Sequence, residues 1–142
     1  MIDFNDVPKV ALDFMNNDHE EATNLVNQIQ ALIDQAQSNE IGSEEKTEEI
    51  TAAFKALLEH NREHFAREEA KMREFNFPPY PVHKGEHERV LAEMESVLAA
   101  WQANQDLNQL KQYIDGELLS WFINHIQTMD TMTAVYISRS GG

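Results

Sequence analysis

Two stretches decide how this chain is read: HNREHFAREE at residues 60–69 and HKGEH at residues 83–87. Each carries a histidine pair spaced four apart, His60 with His64 and His83 with His87, and Glu68 follows His64 after the same interval. On a helix that spacing stacks side chains on one face, a turn apart. A chain with only six histidines has put four of them in helical register, the kind of spacing helical metal sites use.

Working outward, glycine and proline are scarce inside long stretches rich in Ala, Leu, Glu, Gln and Lys, and no run alternates with a period of two. The pattern predicts an all-α chain without strands. A first helix is expected over about 13–37, with Met15, His19, Ala22, Val26, Ile29 and Ile33 on its inward stripe. SNEIGS (38–43) ends it, and Ser43 is placed to cap a second helix running to about residue 75, with Ile50, Phe54, Leu57, His64, Glu68 and Met72 inward. NFPPYPV (76–82) stops that helix, because proline has no backbone donor and clashes with the preceding turn. A third helix over about 83–103 carries His83, His87, Val90, Met94, Val97, Leu98 and Trp101 inward. After NQDLN (104–108), a fourth over about 106–137 carries Leu110, Ile114, Leu118, Trp121, Phe122, His125 and Met129. Four amphipathic helices with short breaks predict an up-down-up-down four-helix bundle, whose core is a common home for metal sites.

Composition narrows the chemistry. With 142 residues and 42% hydrophobic content the chain reads as one domain over 1–142, with a short arm at about 1–12 before four helices over about 13–137. The absence of cysteine excludes disulfides, thiolate zinc sites and thiol catalysis, so a metal must be held by nitrogen and oxygen. Eleven Lys plus Arg against 25 Asp plus Glu give a formal charge of −14, which argues against nucleic acid or an anionic membrane as partner. MIDFNDVPKV (1–10) lacks a basic segment followed by an apolar run, and no apolar stretch approaches the ~20 residues that span a bilayer, so a cytoplasmic location is expected. For the oligomeric state, a monomer is the expectation.

His19, His64, His83, His87 and His125 all fall on the stripes that the apolar residues define as inward. Each buried imidazole needs partners for two ring nitrogens, and an unmet polar group costs roughly 1–3 kcal/mol. A shared cation meets that need for all five. Glu68 lies one turn after His64 on the same face, whereas Asp130 follows His125 by five residues, displaced by about 140° on ideal α-helical geometry. Glu69 and Glu88, beside these positions, are expected to rotate toward solvent. The H-E-x-x-H pattern of zinc proteases is absent, as are the E-x-x-H motifs of ferritin-like carboxylate proteins. One octahedral ion would leave seven protein donors crowded, while two ions sharing two carboxylates use them all, so the site reads as dinuclear.

His19, then HFAREE (64–69), HKGEH (83–87) and HIQTMD (125–130) resemble the hemerythrins, in particular their bacterial single-domain members, in order and spacing over about residues 12–133. The resemblance implies a non-haem, oxo- or hydroxo-bridged pair of iron ions. His83, His87 and His125 would bind one iron, His19 and His64 the other, and Glu68 and Asp130 would bridge them. The second iron then has five ligands against six, and dioxygen would coordinate at its vacant position. His60 stands where related sequences often have an aromatic residue; it is read as a core or partly exposed histidine, with a supporting or proton-shuttling role as the alternative.

An oxygen pocket is expected from Val26, Phe65, Trp121, Phe122 and Ile126. SWFINHI (120–126) keeps the family's Trp and Ile but places Phe122 where Leu is usual, and Ala22 is smaller than the Leu often found one turn after His19. The swap exchanges volume between two helices or reshapes access to the vacant position. The leading expectation is reversible dioxygen binding for storage, delivery or sensing, not enzymatic turnover. The alternative is a di-iron enzyme that reduces dioxygen or peroxide or handles nitric oxide, and a purely structural metal site is the third. A dry pocket favours the binder.

Overall fold

The computed structural model describes residues 3–38 and 43–141. The break at SNEIGS falls mostly outside them, and so does the side chain of Ser43 with the cap assigned to it. After a 3-10 turn at Phe4–Asp6 come α1 (Asp13–Ser38), α2 (Ser43–Glu74) and α3 (Tyr80–Asn104). A fourth rod follows, built from α4 (Leu107–Gln112), a π-helical stretch (Tyr113–Leu118), α5 (Leu119–His125), a second π-helical stretch (Ile126–Asp130) and α6 (Thr131–Arg139). The described residues form a helical bundle without strands.

Side-chain rungs set the direction of each helix. Gln35 meets Lys46 and Asp18 meets His64, so α1 and α2 are antiparallel. Thr51 meets Trp101, Arg62 meets Glu95 and Glu69 meets His87, which turns α3 back along α2. His87 meets His125 and His83 meets Thr133, while Gln37 meets Asn108, Gln30 meets Asp115 and His19 meets Asp130. The fourth rod therefore runs antiparallel to both α3 and α1, the up-down-up-down order expected from the sequence.

The breaks have local causes. Asn76 takes a left-handed conformation (φ 54°) just past α2 while Phe77 N–H donates back to Met72 O at 2.9 Å, a common helix ending. The third helix begins at Tyr80, three residues before the expected start, because the prolines that stop α2 also open α3: Pro79 is the residue before it and Pro81 sits in its first turn, where a missing N–H costs nothing. Gln105 is left-handed (φ 51°) at the end of α3, and Asp106 then caps α4 by accepting from Gln109 N–H at 3.1 Å.

The inward stripes of α1 and α2 are buried as the spacing predicts. On α3, Val97 and Leu98 are only partly buried, and on the fourth rod so are Trp121, Phe122 and Met129. One end of the bundle is mainly apolar, with Ile29, Ile33, Ile50, Phe54, Leu57, Leu110 and Ile114 packed together. The buried histidines lie toward the other end. Among the described residues no helix is long and apolar enough to cross a membrane.

Candidate metal centre

Seven side chains from all four rods meet in the core: His19 from α1, His64 and Glu68 from α2, His83 and His87 from α3, His125 and Asp130 from the fourth rod. Each is at most 4% exposed. They form two overlapping groups. One joins Glu68, His83, His87, His125 and Asp130, the other His19, His64, Glu68 and Asp130, with ligand atoms within 4.8 Å of one another in each.

Asp130 reaches this cluster because the helix departs from α geometry. The 140° offset drawn from an ideal helix does not hold: residues 126–130 wind as a π turn, whose i→i+5 bonding brings residues five apart onto adjacent turns. His125 Nε2 and Asp130 Oδ1 are consequently 3.1 Å apart.

Both carboxylates divide their oxygens between the two groups. Asp130 Oδ1 lies 3.1 Å from both His83 Nε2 and His125 Nε2, while its Oδ2 lies 3.0 Å from His19 Nε2. Glu68 Oε1 lies 3.3 Å from His87 Nε2 and 3.7 Å from His83 Nε2, while its Oε2 lies 2.7 Å from His64 Nε2. Three imidazole nitrogens thus sit on one side of the carboxylate pair and two on the other.

Outer partners fix the tautomers. Thr133 donates its hydroxyl proton to Met129 O at 2.8 Å, so its oxygen accepts from His83 Nδ1–H at 2.8 Å. Glu69 accepts from His87 Nδ1–H at 2.9 Å and Asp18 from His64 Nδ1–H at 2.8 Å. With Nδ1–H held by an outer acceptor, Nε2 is the nitrogen turned to the core, where a metal can take the place of any proton it carries. Glu69 was expected to face solvent; it is only 16% exposed because it bends back over His87. Glu88 is exposed and pairs with Lys84. Asp18 and Thr133 were not foreseen, although each is a neighbour in sequence or one turn away from a core polar residue.

The donor set fits a cation better than a proton network. His83 Nε2 and His125 Nε2 are 3.0 Å apart, and His125 Nε2 and His87 Nε2 are 3.3 Å apart; bare lone pairs at that distance repel. An octahedral ion with bonds of about 2.1 Å would space adjacent ligand atoms by roughly 3.0 Å. Among the described residues neither oxygen of Glu68 accepts an aligned hydrogen bond despite its short contacts, and the two are buried. A buried carboxylate without such bonds is costly unless it binds a metal.

Charge tells the same story. Burial pushes His64 down, but Glu68 and the bond to Asp18 outweigh it and raise its pKa to about 10. Burial also pushes His87 down, and its close contact with Glu68, its bond to Glu69 and the Asp130 charge raise it above the usual range. Burial and the Asp130 charge push Glu68 up, yet His64 and His87 hold it at about 2. Burial works against Asp130 too, and His125, His19 and His83 carry it well below the usual carboxylate range. Without metal, protons supply the positive charge that this core demands.

Rings enclose the centre. Phe65 lies flat on His87 (centroids 3.9 Å apart, planes within 4°) and Trp121 stacks on His125 at 4.5 Å, with its indole N–H donating to Glu86 at 2.7 Å. Phe122 sets an edge against His19 at 6.0 Å. A small cavity of about 10 Å³ is lined by Ala22, Val26, Asn61, Leu118, Trp121 and Phe122 among others; Phe122 connects it to His19 and Trp121 to His125. Of the five residues expected at a pocket, Val26, Trp121 and Phe122 line it; Phe65 is on His87 instead, and Ile126 is fully buried outside its lining. His60 is half-buried, stacks parallel to His64 at 6.2 Å and donates from Nε2 to Asp18 O at 3.0 Å. That bond ties α2 to α1 and leaves His60 outside both ligand groups.

Residues 10–134 match the family described as "Hemerythrin HHE cation binding domain". Among curated proteins the chain is similar to a "Bacteriohemerythrin" from Aquifex aeolicus (strain VF5), 32% identical over 130 residues and covering 92% of each chain. It is also similar to a "Bacteriohemerythrin" from Ralstonia nicotianae (strain ATCC BAA-1114 / GMI1000), 33% identical over 93 residues and covering 66% of each. No solved structure matches it.

Proposed function

The chain belongs to the hemerythrin family, and on that premise we propose that it binds dioxygen reversibly at two iron ions held by His19, His64, Glu68, His83, His87, His125 and Asp130. The observation that carries this reading is the unequal division of donors. Two shared carboxylates have three imidazole nitrogens on one side and two on the other, and Phe122, which lines the small cavity, packs against His19 of the poorer side. When bound, a ferrous pair supplies a position for dioxygen and the two electrons for its reversible reduction.

The protein's own part is to hold, to shape and to keep dry. Thr133, Glu69 and Asp18 retain the Nδ1 protons, so that His83, His87 and His64 offer Nε2 to the core. Glu68 and Asp130 bring two negative charges that offset the repulsion between neighbouring cations. Ala22, Val26, Leu118, Trp121 and Phe122 make the cavity next to His19 largely apolar, which limits water and proton entry and so favours release of dioxygen over its further reduction. Ala22 and Phe122 face the same cavity, in keeping with an exchange of volume between α1 and the fourth rod. The same reading takes residues 1–142 as one domain, monomeric and cytoplasmic, for storage, delivery or sensing of oxygen.

The test is to load the protein with ferrous ion without air, admit dioxygen, then remove it, following the visible spectrum. A band that appears with dioxygen and vanishes with its removal over repeated cycles is expected. Permanent oxidation on first exposure would overturn the reading in favour of an oxygen-reducing enzyme.

A further inference from the structure

The two halves of the centre are not supported alike. In the three-histidine half, the outer nitrogens of His83 and His87 have separate acceptors, Thr133 on the fourth rod and Glu69 on α2. In the two-histidine half, His19 Nδ1 is buried with no hydrogen-bond partner among the described residues. The outer side of that half therefore rests on one contact, His64 Nδ1–H to Asp18 Oδ2 at 2.8 Å. Asp18 is itself held. Arg67 donates to it through two nitrogens, Nε to Oδ2 at 3.0 Å and Nη2 to Oδ1 at 2.9 Å, the forked pairing that fixes a carboxylate's plane. His60 fixes the main chain at the same residue by donating to Asp18 O at 3.0 Å.

We propose that Asp18, clamped by Arg67, is a positioning residue that aims His64 Nε2 into the core, and that the two-histidine half loses its metal when the clamp is broken while the three-histidine half keeps its own. The inference rests on the dinuclear reading above. An imidazole without an acceptor at Nδ1 rotates and shifts its proton between nitrogens; an anchored one presents a bare, more basic Nε2. A half with two imidazoles depends more on each of them than a half with three. Asp18 also joins α1 to α2 through its ion pair with Arg67, so a general loss of packing must be separated from loss of aim.

The experiment is an anaerobic titration of the metal-free full chain with ferrous ion, comparing wild type with Asp18→Ala, Asp18→Asn and Arg67→Gln. Bound equivalents and chelator-driven release are read, and melting of each metal-free protein serves as the control on folding. Wild type should bind two equivalents. Asp18→Ala should keep one tight equivalent and weaken the other by about 10–100-fold. Asp18→Asn, whose amide oxygen still accepts from Nδ1–H, should recover most of the loss although it too lacks the ion pair. Arg67→Gln should fall between them. The proposal is overturned if Asp18→Ala binds two equivalents as tightly as wild type, if both equivalents weaken together, or if Asp18→Asn and Arg67→Gln fare as badly as Asp18→Ala. A wild type that binds one equivalent would overturn the dinuclear reading itself.

Discussion

The two ends of this bundle are built on the same helices and obey opposite rules. At the apolar end, Ile29, Ile33, Ile50, Phe54, Leu57, Leu110 and Ile114 fill the core with groups that need nothing from a ligand. At the polar end, five imidazoles and two carboxylates occupy the equivalent positions, all at most 4% exposed. The first end gains stability from burial alone; the second is satisfied by charge brought in from outside. One stripe of inward positions thus serves stability over part of its length and chemistry over the rest.

The largest loss of stability is expected at the apolar end. Phe54 is fully buried, and Phe54→Ala should cost about 3–5 kcal/mol of unfolding free energy by denaturant titration. The folded fraction should still bind ferrous ion with wild-type stoichiometry. A matching loss of metal would show that the two ends are not separable.

Glu68→Ala probes the other end. Outer partners of metal ligands cost about 10–100-fold in affinity, so removing a shared carboxylate should exceed that range. Anaerobic titration should show the paired site lost while the helical circular dichroism of the folded chain persists.

Without metal, the stability of the polar end depends on pH. Burial lowers His64, but Glu68 and Asp18 outweigh it and lift its folded pKa from 6.5 to about 10. A folded value above the unfolded one means that the proton stabilises the fold. That contribution is full below about pH 6.5 and is lost as pH rises toward 10. Glu68, held at about 2 by His64 and His87 against burial and the Asp130 charge, contributes stability above about 4.5 that is lost as pH falls. The metal-free protein should therefore melt highest between about pH 4.5 and 6.5 and lower at pH 9. The iron-loaded protein should not share the alkaline fall, since metal stands in for the proton. Equal melting of the metal-free form at pH 6 and pH 9 would contradict this account.

The smallest effect is expected where the two rules meet. Phe122 is half-buried against His19 and the cavity, so Phe122→Ala should cost about 1–2 kcal/mol, less than a fully buried ring. Ferrous affinity should hold, and irreversible oxidation in air should quicken. An unchanged rate, followed by the decay of the visible spectrum, would mean that this ring does not guard the site.

Much of this was legible in the chain itself. Residue type and a period near 3.6 suffice to predict the inward stripes of α1 and α2, because burial of an amphipathic face depends on local geometry that repeats along the helix. The same periodicity places His19, His64, Glu68, His83, His87 and His125 inward, and cysteine's absence limits the donors to nitrogen and oxygen.

Other features were decided only by the tertiary structure. Asp130 joins the cluster because residues 126–130 wind as a π turn, and no side-chain periodicity announces a change in backbone hydrogen bonding. Pro79 and Pro81 mark a stop in the sequence, yet the fold uses them to begin α3 at Tyr80. Glu69 and Asp18 belong to positions that are polar and partly outward on their own helices, and Thr133 is a buried hydroxyl on an apolar face. They become supports for His87, His64 and His83 because a neighbouring helix brings an imidazole to them. A helix's own sequence says which face is buried, since that follows from its own residues. Which side chains meet across the interface depends on the register and rotation of two helices at once, and those are set by the packing of the whole core.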